Sequence, residues 1–192
     1  MKNNDRKFQI IKAADKRFAR HGFHKTNMDE IARDIRIGKP TLYYYFESKD
    51  ALYIEVIKWE FENYLESVNQ IFSNDELTIT KRLEEYFLRK DNVRNDFKLI
   101  FEIIVQFISE RTTEPETELL KEYLSKEEEL IKKILNAYYK DKIKAVSKAL
   151  PYSFVMISWM IVVGKKMSSQ LSVDKEFLSN EKIQQLIEAL LD

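Results

Sequence analysis

Apolar residues recur at intervals of three and four along most of the chain, the spacing of helices that bury one face. Phe8, Ile11, Ala14 and Phe18 fall on one stripe of a helix expected from about Asp5 to Arg20, with Gly22 as its C-terminal stop. Ile31, Ala32 and Ile35 mark a short second helix from Met28 to about Ile35, opened by Asn27 with Glu30 three residues on, a capping-box arrangement. After a turn at Arg36, Ile37 and Gly38, a third helix starts at Lys39 and Pro40, where proline removes no helical hydrogen bond. It runs through Thr41, Leu42, Tyr43, Tyr44 and Tyr45, with Leu42 expected inside and its neighbours outside.

Ser48 caps the next helix, in which Leu52, Val56, Ile57, Phe61, Tyr64, Leu65, Val68 and Ile71 keep the same period. No flexible linker follows the short pair, so this long helix is expected to lead directly into a second domain. Further helices are expected at about Thr78 to Lys90, Arg94 to Glu110 and Glu116 to Lys140, with Pro115 punctuating the last start. Pro151 opens a helix to about Gln170 that is apolar on nearly every side, including Phe154, Met156, Ile157, Trp159, Met160, Ile161 and Val163. Asn180 caps a final helix to Leu191. A helix apolar all round must be covered on two sides, one by its own domain and the other most simply by a second copy of the chain.

The stretch from Asn27 to Phe46 packs two short helices into twenty residues and puts donors and aromatics on the second, the layout of a helix-turn-helix DNA reader. Taken alone, it reads equally well as an ordinary helical hairpin whose tyrosines cover a core. Context comes from Gly22-Phe23, Thr26, Ile31-Ala32 and the block Thr41-Leu42-Tyr43-Tyr44-Tyr45-Phe46-Glu47-Ser48-Lys49. With these residues, roughly 5 to 60 of the chain resemble the TetR family of bacterial transcriptional regulators. Where that family often has a turn glycine followed by a capping serine, this chain has Arg36 and Gly38, so the turn is expected either to strain Arg36 or to use Gly38.

The resemblance implies an all-α chain with two parts. Residues 1–50 would form a three-helix helix-turn-helix DNA-binding domain, and residues 51–192 a helical ligand-binding and dimerisation domain. It also implies a homodimer through the helices at 151–170 and 181–191, which agrees with the need to cover them.

Composition fits this picture: 44% of residues are apolar, and only three glycines and three prolines favour helices over sheets. There is no cysteine, so disulfides and thiolate metal sites are excluded. No N-terminal apolar stretch resembles a signal peptide, and the run from Tyr152 to Val163 is too short to cross a bilayer; a cytoplasmic, non-membrane protein is expected. The net charge of zero hides an asymmetry. Residues 1–50 hold twelve Lys and Arg against seven Asp and Glu, the remainder twenty against twenty-five. A basic N-terminal part can neutralise phosphates while the acidic remainder stays off the duplex.

Within the reader, phosphate contacts are expected from Thr26, Asn27, Thr41, Tyr44 and Lys49, the lysine matching the family's phosphate-binding position. Lys39 and Tyr43 are the expected base contacts, Lys39 donating to guanine O6 or N7, with Pro40 against a thymine methyl. Asp29 either accepts from a cytosine amine or partners its own helix dipole. Tyr45 and Phe46 are expected to pack.

The resemblance further implies a small apolar or aromatic effector held among the C-terminal helices, for which Phe101, Tyr123 and Trp159 are candidate contacts. Catalysis is not expected: the two histidines, His21 and His24, lie beside the reader without a nucleophile motif, and neither a metal nor a cofactor is implied. Runs such as Lys126 to Glu129 are expected as solvated helix faces. The function so implied is a DNA-binding regulator, a homodimeric repressor released by its effector from a palindromic double-stranded operator. The competing class is an all-helical interaction or small-molecule carrier protein with a merely structural hairpin.

Overall fold

A computed structural model describes residues 2–139, 150–171 and 179–191, and every regular element among them is helical. In chain order these are α1 (Lys2–Lys25), α2 (Met28–Asp34), α3 (Lys39–Tyr45), α4 (Lys49–Phe72) and α5 (Ile79–Asp91). There follow α6 (Val93–Asp96), α7 (Lys98–Ile108), α8 (Glu114–Tyr139), α9 (Leu150–Leu171) and α10 (Asn180–Leu191). The all-α expectation therefore holds. Lys140, the expected end of the helix that begins near Pro115, lies outside the described residues.

Two compact units emerge, Met1–Asn63 with Phe97–Leu119, and Tyr64–Asp96 with Leu120–Asp192. In the first, Ile10, Ala14 and Phe18 of α1 are buried together with Ile31 and Ala32 of α2, Leu42 of α3 and Leu52, Val56 and Ile57 of α4. Of the stripe read from the sequence, Ile11, Ala14 and Phe18 face this core, whereas Phe8 is 43% exposed and meets the Trp59 ring edge-on at 6.1 Å. Phe18 meets Tyr53 edge-on with ring centres 5.1 Å apart. Arg17 clamps α1 to α2 with two bonds to Asp34 at 2.6 and 2.8 Å, and its other nitrogen lies 3.0 Å from Glu30.

That last contact alters the expected cap. Asn27 does cap α2, its Oδ1 accepting from the Asp29 N–H at 3.0 Å. Glu30, however, faces Arg17, because a guanidinium is a stronger partner for a carboxylate than a neutral backbone N–H. Gly22 is not a simple stop: it breaks the helix at φ 75, ψ 167 and a last turn continues to Lys25. Only glycine takes that backbone at little cost.

A larger departure concerns the helix expected from Arg94 to Glu110, which is split at Phe97 (φ −136, ψ 68) into α6 and α7. The start of α7 has no cap from its own sequence. Instead Glu60 of α4, 3% exposed, accepts from the backbone N–H groups of Leu99 and Ile100 at 3.3 and 2.9 Å. A carboxyl group distant in sequence satisfies the orphan donors.

In the second unit, Leu83, Tyr86 and Phe87 of α5 are buried, as are Phe154, Val155 and Trp159 of α9 and Ile183 and Ile187 of α10. At its centre Glu127, expected on a solvated face, is 1% exposed. It accepts from the hydroxyls of Tyr64 and Tyr86 at 2.5 and 2.9 Å, from Trp159 Nε1 at 3.0 Å and from the Lys90 ammonium. Every one of these donors is buried too, and that is what makes a buried charge tolerable. The other side of α9 leaves Tyr152, Met160 and Met167 exposed by 55%, 70% and 56%. None of the helices in the described residues is long and apolar enough to cross a membrane.

Candidate nucleic-acid interface

The second and third helices are joined by a turn whose geometry settles which residue bends the chain. Arg36 takes the left-handed conformation at φ 54, whereas Gly38 is extended (φ −70, ψ 148) and serves as the N-cap of α3. Gly38 has no side chain to cap with, and its carbonyl accepts from the N–H groups of Thr41 and Leu42 at 3.0 and 3.2 Å. The strain at Arg36 is on the order of 1–2 kcal/mol, small against the core that Ile31, Ala32 and Leu42 build behind the turn.

From this turn α3 projects with one face anchored and the others free. Leu42 is 0% exposed, while Tyr43 is 41% and Tyr44 is 78% exposed. Lys39, Pro40 and Thr41 are exposed as well. A tyrosine 78% open to solvent covers no core within its own chain, which is the arrangement a groove-reading helix requires. Phe46, by contrast, is buried at 3%, and Tyr45 is half-buried.

Lys39 is not a free cation. Its ammonium donates to Asp29 Oδ2 at 3.1 Å, lies 2.9 Å from Oδ1, and sits 5.8 Å from the centre of the Tyr43 ring. The hydrogen bond to Asp29 raises the Lys39 ammonium above its ordinary range. Asp29 therefore orients a base-contact candidate on the next helix, a role that neither reading of it from the sequence contained.

The phosphate candidates divide. Thr41 and Tyr44 are exposed on α3, and Asn27 is exposed but already caps α2. Thr26 is 3% exposed, and its hydroxyl donates to the Gly22 carbonyl at 2.8 Å. Lys49 donates to the carbonyls of Phe23 and Thr26 at 3.0 and 3.3 Å and lies over the Phe23 ring at 4.2 Å. Both side chains brace the bend ahead of α2.

Of the candidate effector contacts, Phe101 is buried in the first unit, and Tyr123 and Trp159 in the second. Trp159 is committed to Glu127 and has the Lys90 ammonium 4.0 Å from its ring centre. Among the described residues no three acidic, histidine or cysteine side chains cluster as metal ligands would.

Fold and exposed helix together define a helix-turn-helix protein of all-α architecture. The family described as bacterial regulatory proteins, tetR family, matches residues 10–56. Over these residues the chain carries the N-terminal domain of that family. It is 30% identical over 102 residues, 52% of its length, to the HTH-type transcriptional activator FasR of Mycolicibacterium smegmatis, where the match covers 47% of that protein. It is 32% identical over 92 residues, 48% of its length, to the HTH-type transcriptional regulator RutR of Escherichia coli, covering 42% of it. The chain thus spans less than half the length of these curated relatives. Whole-chain likeness is seen in solved structures: reduced NemR of E. coli superposes with a TM-score of 0.72 at 14% identity, covering 96% of both chains. FadR of Bacillus subtilis, solved in complex with stearoyl-CoA, gives 0.67 at 18% identity over 96% of this chain and 95% of that one. At such identities these two show the fold alone.

Proposed function

We propose that this chain is a homodimeric transcriptional regulator, a repressor released from a palindromic operator by a small apolar or aromatic effector. Residues 1–50 read DNA in this proposal, and residues 51–192 dimerise and sense. The observation that carries it is α3: Leu42 fastens the helix while Tyr43 and Tyr44 stand out beside Lys39, Pro40 and Thr41. Regulators among the relatives support it, as does the surplus of positive charge in the first fifty residues.

Dimerisation is supported by the exposed side of α9, where Tyr152, Met160 and Met167 offer apolar surface that a second α9 can cover. Two readers held about 34 Å apart would enter successive major grooves, which a single short helix cannot do. A small-molecule effector is supported by the fold shared with FadR, whose structure holds stearoyl-CoA. A cytoplasmic site of action agrees with the lack of a membrane-crossing helix among the described residues.

Selection of bound duplexes from a random pool, followed by gel shift across salt concentrations, tests this reading. The expected outcome is a two-fold symmetric consensus bound with strong salt dependence. No retention of any duplex at low salt would instead leave the carrier-protein reading standing.

A further inference from the structure

A cavity of about 560 Å³ opens in the first unit, bounded by the end of α1, the first turn of α4, the end of α7 and the α7–α8 connection. This is within the size range of small-molecule sites. Its lining includes Phe23 and Tyr53, whose ring centres are 4.8 Å apart with the planes tilted by 53°, so one wall is an aromatic corner. His24 stands edge-on to Phe23 at 5.5 Å, and His21 lies beside it.

The charges around the cavity are unevenly satisfied. Of the acids, Glu116 accepts from the N–H and hydroxyl of Thr113 at 2.7 and 2.8 Å. Glu102 has Lys98 at 3.8 Å, and Asp50 sits in the first turn of α4, where the helix dipole favours a carboxylate. Arg111 and Lys25 line the same cavity, are exposed, and have no acidic partner among the described residues. The lining thus holds three carboxylates and two cations, and both cations are free to pair with a ligand anion. Arg111 is brought there by a strained bend: Glu110 holds φ 55, and the Arg111 N–H closes α7 onto the Gln106 carbonyl at 2.9 Å.

We propose that this cavity binds an organic anion with an aromatic or apolar body, and that its occupancy is coupled to the DNA-reading helix pair. The body lies against Phe23 and Tyr53, and the anionic group meets the fork of Arg111. Coupling needs no long path. Phe23 and His24 lie just ahead of Thr26 and of Asn27, the N-cap of α2, and Lys49 already grips the carbonyls of Phe23 and Thr26. A ligand that fits one position of this bend better than another shifts DNA affinity by the same factor that DNA shifts its own. The coupling rests on the regulatory reading above; the site itself does not.

The test uses the full chain and anilinonaphthalene sulfonate, a fluorescent aromatic anion. Arg111→Glu is expected to weaken probe binding by about tenfold or more with an unchanged melting temperature, since the side chain is exposed and charge-assisted contacts are worth that much. Lys132→Glu, a matched charge reversal on α8, is expected to change nothing. Equal binding by the wild type and Arg111→Glu, or an equal loss in both variants, overturns the site. In the second arm, saturating probe is expected to change wild-type affinity for a selected duplex by about fivefold or more, and no change overturns the coupling. A wild type that binds no duplex even without probe overturns the regulatory reading and the coupling with it, while the first arm still decides the site.

Discussion

Lys49, the first residue of α4, reaches back to hold the carbonyl of Phe23 at 3.0 Å, so the helix after the reader fixes the bend before it. Two of its three N–H donors are used this way. Lys49→Ala is therefore expected to lower stability by about 1–2 kcal/mol, a few degrees of melting temperature, as well as weakening DNA of every sequence alike. Thermal melts and gel shifts on the same preparation check this. Weakened DNA binding with unchanged melting would show that the lysine serves phosphate alone.

Asp29 and Lys39 form an exposed pair, so Asp29→Asn is expected to alter stability by less than about 1 kcal/mol. Its effect belongs to DNA. Releasing Lys39 adds a mobile cation, so binding at low salt should tighten and its salt dependence should steepen by about one ion, while selectivity among sequences relaxes. Titration of selected and scrambled duplexes at several salt concentrations measures both.

Tyr43→Ala and Tyr44→Phe leave the core untouched and should melt like the wild type. Tyr43→Ala is expected to relax preference among duplexes, whereas Tyr44→Phe removes a hydroxyl and weakens all of them equally. Sequence-blind losses from both would remove Tyr43 from the base contacts.

Burial pushes the Glu60 carboxyl up to about 8, opposed by the Ile100 N–H and helped by neighbouring Asp15. Its folded pKa lies above the unfolded value of 4.5, so the native state holds the extra proton between those limits. This contribution is complete below the unfolded value and is lost as pH rises toward 8. Glu60→Gln keeps an acceptor for α7 without the titration. Its melting temperature should vary less than that of the wild type across this window, and parallel pH profiles would refute the assignment.

Lys90 and Glu127 are both buried, and burial draws the Lys90 ammonium below its usual range against the pull of Glu127. Lys90→Met leaves that carboxylate uncompensated and should cost about 3–5 kcal/mol. Denaturant unfolding measures the loss, and Lys90→Met with Glu127→Gln should recover part of it.

Most helices were legible because each carries its own periodic stripe and its own punctuation. Ile31, Ala32 and Leu42 mark the buried side of the helix pair, and Pro40 and Thr78 mark starts where α3 and α5 begin. What could not be read depends on partners far away in the chain. The break at Phe97 is stabilised by Glu60, 39 residues from Leu99, and no local signal announces it. Glu127 resembles its solvated neighbours until Tyr64, Tyr86, Lys90 and Trp159 converge on it. Within the reader, α3 was legible to the residue, but the ties of Thr26, Lys39 and Lys49 were not, because a polar side chain looks the same whether it faces a phosphate or a carbonyl.

The bond from Glu60 to the start of α7 also bears on how such proteins can be recombined. Phe18 packs on Tyr53, and the same unit that carries α1 to α3 runs on to Asn63 and takes in Phe97–Leu119. A chimera spliced just after residue 50 would strip the transplanted helices of their floor. A graft that carries α4 to Asn63, together with the Phe97–Leu119 segment, keeps the hydrophobic seam closed.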